Sequence, residues 1–240
     1  CDWSSDVCSS DLSIRVTGLE QHISSTGHRY GLKLLTTTAH RMTNREKGIQ
    51  EIATIYNWQY ATFPVNHLQY FEKFKFFTSR TLDTKRNGLW SENDSMRWEI
   101  ADITFEESAG LALEEYTMTL GLIRLNGAIP KFTIERKDLV DRYIDLSAHR
   151  NIDVHSFSDF SKQYIVKVAD DEKMNAFVTP EFKQIVEKYK ITYMESNGNS
   201  VLVFLNDFRL AQLHEYTMAI KVMKKLVEEL GEDSLDHKKA

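Results

Sequence analysis

Ile191-Thr192-Tyr193-Met194-Glu195-Ser196-Asn197-Gly198-Asn199-Ser200-Val201-Leu202-Val203-Phe204-Leu205 is the stretch that decides the fold. Two strand-like runs, Ile191–Ser196 and Ser200–Leu205, flank an Asn-Gly pair. That pair is a strong short-range hairpin signal, because a type I′ turn needs two residues tolerant of positive φ. The reading therefore places an antiparallel strand pair near the C-terminus. Val201–Leu205 is also the longest uninterrupted run of aliphatic and aromatic residues. It is far shorter than the roughly 20 residues that span a bilayer as a helix.

Working outward, Thr179-Pro180 supplies a helix cap and a proline for the first helical position. Phe182, Ile185, Val186 and Tyr189 then form an apolar stripe. Beyond the hairpin, Leu213, Tyr216, Ile220, Met223, Val227 and Leu230 recur in steps of three and four. They predict a helix over about Leu210–Leu230, stopped by Gly231. The stripe has two readings: packing on the sheet, or a homodimer seam with coiled-coil spacing. Residues 232–240 read as a disordered charged tail.

Upstream, Tyr164, Val166 and Val168 mark a strand, and Asp138–Leu146 predicts a helix face of Leu139, Val140, Tyr143 and Ile144. The middle of the chain reads as a β-meander: Gly88–Glu92, Met96–Glu106, then Tyr116, Met118, Leu120 and Leu122 alternating, and Lys131–Glu135. Trp98 and Ile100 share one parity, Ile103 and Phe105 the other. That switch predicts a bulge near Ala101-Asp102. Thr81–Asn87 is polar and reads as a loop. Thr43-Asn44-Arg45-Glu46 is a capping box opening a helix over Arg45–Asn57, and Trp58–Phe63 reads as a half-buried strand.

Cys1–Leu12 has no periodicity. It resembles, residue for residue, the in-frame translation of a sequencing adapter, and is set aside from fold reasoning. Both cysteines, Cys1 and Cys8, lie in it, so no disulfide framework or thiolate site is expected. Residues 1–41 are expected to be non-native or disordered, with Met42 as the natural start. Residues 43–231 are expected to form a single α+β domain, or two packed lobes with a seam near 147–159.

The chain has 240 residues, 30 Lys+Arg against 35 Asp+Glu and a formal charge of −5. That balance argues against a general electrostatic nucleic-acid binder. Apolar residues make up 42% and aromatics 11%, enough for a sizeable core rather than global disorder.

Chemical constellations are sparse. There is no Gly-rich phosphate loop, G-x-S-x-G elbow or H-E-x-x-H. His149, Asp153 and His155 match no zinc spacing. Glu106-Glu107 and Glu114-Glu115 flank a hairpin loop and read as a solvated rim, with an acid–base pair as the alternative. Asp170-Asp171-Glu172 lacks the ladder and glycine of a calcium loop. Tyr70–Phe77 interleaves aromatics with lysines. That pattern reads either as a buried aromatic face or as a base-stacking surface.

Several landmarks recur together: Trp58 and Tyr60; the aromatic-rich Leu68–Phe77; Pro130-Lys131-Phe132-Thr133-Ile134-Glu135-Arg136-Lys137; Asp153 followed by Phe160-Ser161-Lys162-Gln163-Tyr164; and Phe177 with Thr179-Pro180-Glu181, then Glu195 and Gly198. From about Ile49 to Leu230 this order resembles a bacterial family of uncharacterised conserved proteins, a domain of unknown function. The chain departs from the family pattern at Glu135 and Arg136, where Arg and Pro are expected. The resemblance implies a shared fold, a bacterial cytoplasmic setting and, in some relatives, an N-terminal membrane segment. It carries over no catalytic residue.

The expected architecture is α+β: an antiparallel sheet, meander plus hairpin, covered by helices on one face, with a long C-terminal helix. The expected function is a non-enzymatic binding or scaffold module, membrane-associated only through a missing N-terminal segment. No catalytic, cofactor-binding or metal-binding residue is nominated, and no cofactor. One alternative is a small-molecule enzyme using two of Glu99, Asp102, Glu106 and Glu135 in one cleft, with their pKa values pushed apart. A second is a nucleic-acid or membrane-surface binder through Leu68–Phe77, which requires those aromatics to be exposed. Of the possible partners, nucleic acid is disfavoured and a homodimer would use the C-terminal helix.

Overall fold

The Asn197-Gly198 hairpin forms between β10 (Tyr193–Ser196) and β11 (Ser200–Phe204), with Ser196 opposite Val201. Its turn is not type I′. Gly198 has φ +110°, but Asn197 does not enter the positive-φ region. Instead, the Asn197 Oδ1 accepts from the Asn199 and Ser200 amides, and the Asn197 amide donates to the Ser200 carbonyl. An Asx-type cap does the work of the second positive φ.

The computed structural model describes residues 12–13, 40–64, 68–109, 112–137, 155–156, 160, 163–206 and 208–236. The remaining strands are β1 (Leu12–Ser13), β2 (His40–Arg41), β3 (Gln59–Ala61), β4 (Arg80–Glu92), β5 (Met96–Ala109), β6 (Ala112–Leu125), β7 (Phe132–Arg136), β8 (His155–Ser156) and β9 (Tyr164–Val168). The helices are α1 (Asn44–Ile55), α2 (Asp171–Phe177), α3 (Pro180–Lys188) and α4 (Leu213–Asp236). β1 pairs with β2 alone. The other strands form one nine-stranded sheet in the order β3-β4-β5-β6-β11-β10-β7-β9-β8, and every pairing in it is antiparallel. The α+β class and the long C-terminal helix follow the sequence reading.

The capping box forms as read: the Glu46 amide donates to the Thr43 Oγ1, and the Thr43 amide donates to the Glu46 carboxylate at 2.6 Å. α1 ends at Asn57, φ 58°, where the Trp58 amide reaches back to the Ala53 carbonyl. α3 ends the same way at Lys190, φ 50°, with the Ile191 amide on the Val186 carbonyl. Both are left-handed C-terminal caps built without glycine.

The sheet is buried on both faces. One face carries Trp98, Ile100, Ile123, Val201 and Met194 beneath the helices. The other carries Ala101, Ile103, Phe105, Met118 and Leu202 beneath the Leu68–Phe77 segment, which we call the strap. This explains the parity switch in β5. The pairing of β5 with β6 runs unbroken from Met96–Leu125 to Ala109–Ala112, so β5 has no bulge. Both parities are apolar because both faces are covered. The irregularities lie in β4, at Leu82/Thr84 and Arg86/Leu89; the second, where Asn87 has φ 50°, stands opposite Asp102 and Ile100, so the expected bulge is at the right place but on the partner strand.

Two further expectations are corrected. Thr81–Asn87 is strand, not loop: its polar side chains pair across to β5, Lys85 with Glu99 and Asn87 with Asp102. Beyond the three residues that β3 covers, the outer edge of β4 from Arg80 to Arg86 has no neighbouring strand among the described residues. Gly231 does not stop the last helix, which runs to Asp236. A Cβ on Gly231 would stand 3.0 Å from Met96 Cε, the movable end of a long side chain. The predicted helix Asp138–Leu146 and most of the seam at 147–159 lie outside the described residues.

Candidate functional site

Asp102 sits at the parity switch of β5 and points to the helix face, 4% exposed. A buried carboxylate must be matched by donors. Asp102 Oδ2 takes Arg45 Nη1 at 2.6 Å and Asn87 Nδ2 at 2.8 Å. Its Oδ1 takes the hydroxyls of Thr119 at 2.5 Å and Tyr216 at 2.8 Å. The donors come from α1, β4, β6 and α4. Arg45 Nη2 also donates to the Tyr216 hydroxyl at 3.0 Å and the Ala211 carbonyl at 3.1 Å. The Ala211 amide donates to Thr119 Oγ1 at 2.8 Å, and Asn87 Oδ1 takes the Tyr60 hydroxyl at 3.0 Å.

The hub sets the charge states around it. Burial lowers the Arg45 pKa, but hydrogen bonding to Asp102 and its charge outweigh that and hold the guanidinium above its ordinary value. Burial, then the Asp102 charge, pushes the Tyr216 phenol far up. Burial carries Tyr60 up to about 12. All these groups keep one protonation state across the physiological range, which suits a structural tie better than a proton relay.

The strap face carries two separate polar groups. Lys85 Nζ contacts both oxygens of Glu99 at 2.8 Å, with both side chains buried. Glu195 accepts the Lys75 amide at 2.6 Å, the Phe76 amide at 3.1 Å and the Tyr193 hydroxyl at 2.8 Å. It thereby caps the second 3₁₀ turn of the strap, which has no side-chain cap of its own. Glu135 lies near Glu195 and contacts Lys167 Nζ at 3.4 Å. Burial raises the Glu135 pKa; Lys167 pulls it back and Glu195 pushes it further.

The four carboxylates of the enzyme alternative are therefore dispersed. Glu99 and Asp102 face opposite sides of the sheet, Glu106 lies in the outer half of β5, and Glu135 stands beside Lys167. The close neighbour of Glu135 is Glu195, which the sequence reading treated as a strand residue. Its signal was a lone charge inside an otherwise apolar hairpin. Glu106 faces Glu115 and Glu107 faces Glu114 across the β5–β6 pair. Glu107 is taken by Arg80 and Glu114 by the Tyr116 hydroxyl, so these residues form a rim rather than an acid–base pair. Asp170 caps α2 through the Lys173 amide. His149 and Asp153 lie outside the described residues.

The strap overturns the reading of Leu68–Phe77 as an exposed binding surface. Phe71, Phe74, Phe76 and Phe77 are at most 4% exposed, and the wet side is left to Lys73 and Lys75. The C-terminal stripe is likewise spent within one chain. Tyr216, Ile220, Met223, Val227 and Leu230 are buried against the sheet, so they offer no seam to a second copy.

One groove stands apart from these buried groups. It lies between α3 and α4 and holds about 330 Å³. Glu181, Gln184 and Lys188 line one wall, Lys225, Glu228 and Glu229 the other, and Ile185 and Tyr189 the floor.

The architecture has a known counterpart. The crystal structure of the mycobacterial trehalose monomycolate transport factor A matches 79% of this chain and 96% of its own, with a TM-score of 0.55 and 11% identity. At that identity the likeness is one of fold. No family model matches the chain, and no curated protein does. Among the described residues, no helix is long and apolar enough to cross a membrane.

Proposed function

We propose that the chain is a non-enzymatic binding or scaffold module of a bacterial cytoplasm. The observation that carries this reading is the saturation of Asp102: its two carboxylate oxygens accept from four protein donors, drawn from four elements that they tie together. A carboxylate engaged in this way holds a frame and has no spare lone pair aimed at a substrate. The fold likeness to a protein titled a transport factor is compatible with a role in binding or assembly. Membrane association, if the natural chain has it, would come through a segment before Met42.

The reading is tested by assaying the full chain on panels of ester, phosphate and glycoside substrates beside Asp102→Asn and Glu135→Gln. The expected outcome is no turnover by any of the three. Turnover that either variant abolishes while its circular dichroism stays native would replace the module with an enzyme.

A further inference from the structure

We propose that the α3–α4 groove binds an extended peptide segment carrying a basic and an acidic side chain three residues apart. This rests on the binding-module reading and names its site. Glu181, Gln184, Ile185 and Lys188 follow i, i+3, i+4, i+7 spacing, so α3 presents them as one row. Lys225, Glu228 and Glu229 follow i, i+3, i+4 and form the facing row of α4.

The groove is polarised along its length. At the start of α3, the Thr179 hydroxyl donates to the Glu229 carboxylate, which brings Glu229 beside Glu181. At the other end, Lys188 Nζ stands 5.7 Å from the Tyr189 ring centre, and Lys225 feels the Tyr189 phenol. Lys225 is also paired with Glu228 at 2.7 Å on the exposed rim. Glu181 and Lys188 form no ion pair among the described residues. Seven residues of helix separate them by about 10 Å. An extended chain rises about 3.3 Å per residue, so side chains three residues apart match that span. Both charges are met on the α3 wall, by Glu181 and Lys188, and the length of a lysine or glutamate side chain lets each reach that wall from either side of the extended backbone. The groove's volume lies at the lower end of the range for ligand sites. Ile185 and the Tyr189 ring give it an apolar floor for the backbone between the two charges.

The probe is the capped tetrapeptide acetyl-Lys-Ala-Ala-Glu-amide, titrated at low salt into the ¹⁵N-labelled full chain. Acetyl-Lys-Ala-Ala-Lys-amide and acetyl-Glu-Ala-Ala-Glu-amide are the comparisons. Amide shifts are expected at residues 179–189 and 225–229, with the mixed-charge peptide binding about five-fold tighter than either like-charged one. Lys188→Glu should weaken it about five-fold. Glu181→Lys combined with Lys188→Glu should recover binding, because an extended peptide can lie in either direction. No shifts, equal affinity for all three peptides, or a double variant as weak as the single would each overturn the proposal. A silent groove in a chain that also shows no turnover removes the groove alone. Turnover abolished by Asp102→Asn removes the module reading, whatever the peptide does.

Discussion

The two faces of the sheet solve one problem in different ways. On the helix face, α1 and α4 satisfy most of their own backbone groups. They need from the sheet an apolar stripe and a single pin, Asp102, which gathers side-chain donors from both helices and two strands. On the strap face, a segment of short 3₁₀ turns cannot pair all its own amides. There the sheet supplies a carboxylate, Glu195, directly to the Lys75 and Phe76 amides. The contrast teaches what each covering layer asks of the sheet: the helices take side-chain contacts, whereas the strap, besides the Lys85–Glu99 pair beneath it, draws a buried carboxylate to its own backbone amides.

The sharpest way to break this contrast is Asp102→Ala. It leaves the Arg45 guanidinium and the Asn87, Thr119 and Tyr216 donors without their acceptor, and should cost about 3–5 kcal/mol in urea unfolding. A loss near 1 kcal/mol would show that the hub does not tie the helix face together. Glu195→Ala should cost less, about 2–3 kcal/mol. Its distinguishing sign is local: hydrogen exchange at the Lys75 and Phe76 amides should quicken while α1 and α4 stay protected. Uniform quickening would mean that the strap is no separate layer. Lys85→Met combined with Glu99→Leu should fall within about 1 kcal/mol of the parent, since both charges leave together, whereas Lys85→Met alone should be far worse.

The smallest effect concerns Glu135. Its pKa is raised in the folded state, so its contribution to stability is complete below its ordinary 4.5 and is lost as pH rises through the folded value. Glu135→Gln should therefore flatten the decline in stability that sets in as pH rises above 4.5, read from melts at a series of pH values starting below it. An unchanged slope would remove Glu135 from the account.

Local signals were legible in the sequence. The Thr43–Glu46 box, the Thr179-Pro180 start and the Asn197-Gly198 reversal each depend on neighbours a few residues away. Thr81–Asn87 was not legible, because its polar side chains are paid for across the sheet, by Glu99 and Asp102. The parity switch in β5 was visible but was read as a bulge, because nothing local reveals a second covering layer. Asp102 stood among four candidate carboxylates with nothing to single it out. Its partners lie 15, 17, 57 and 114 residues away along the chain. Gly231 looked like a stop because a glycine within a helix reads the same in sequence as one that ends it.

The outer rim of β4 carries a further consequence. From Arg80 to Arg86 it is bordered by no other strand among the described residues, and it is kinked at Leu82/Thr84 and again at Arg86/Leu89. A foreign strand laid along it would lose step at the first kink and could not regain it before the second. The rim is therefore a poor template for growth, and a concentrated solution of this protein should not begin to clump along that border.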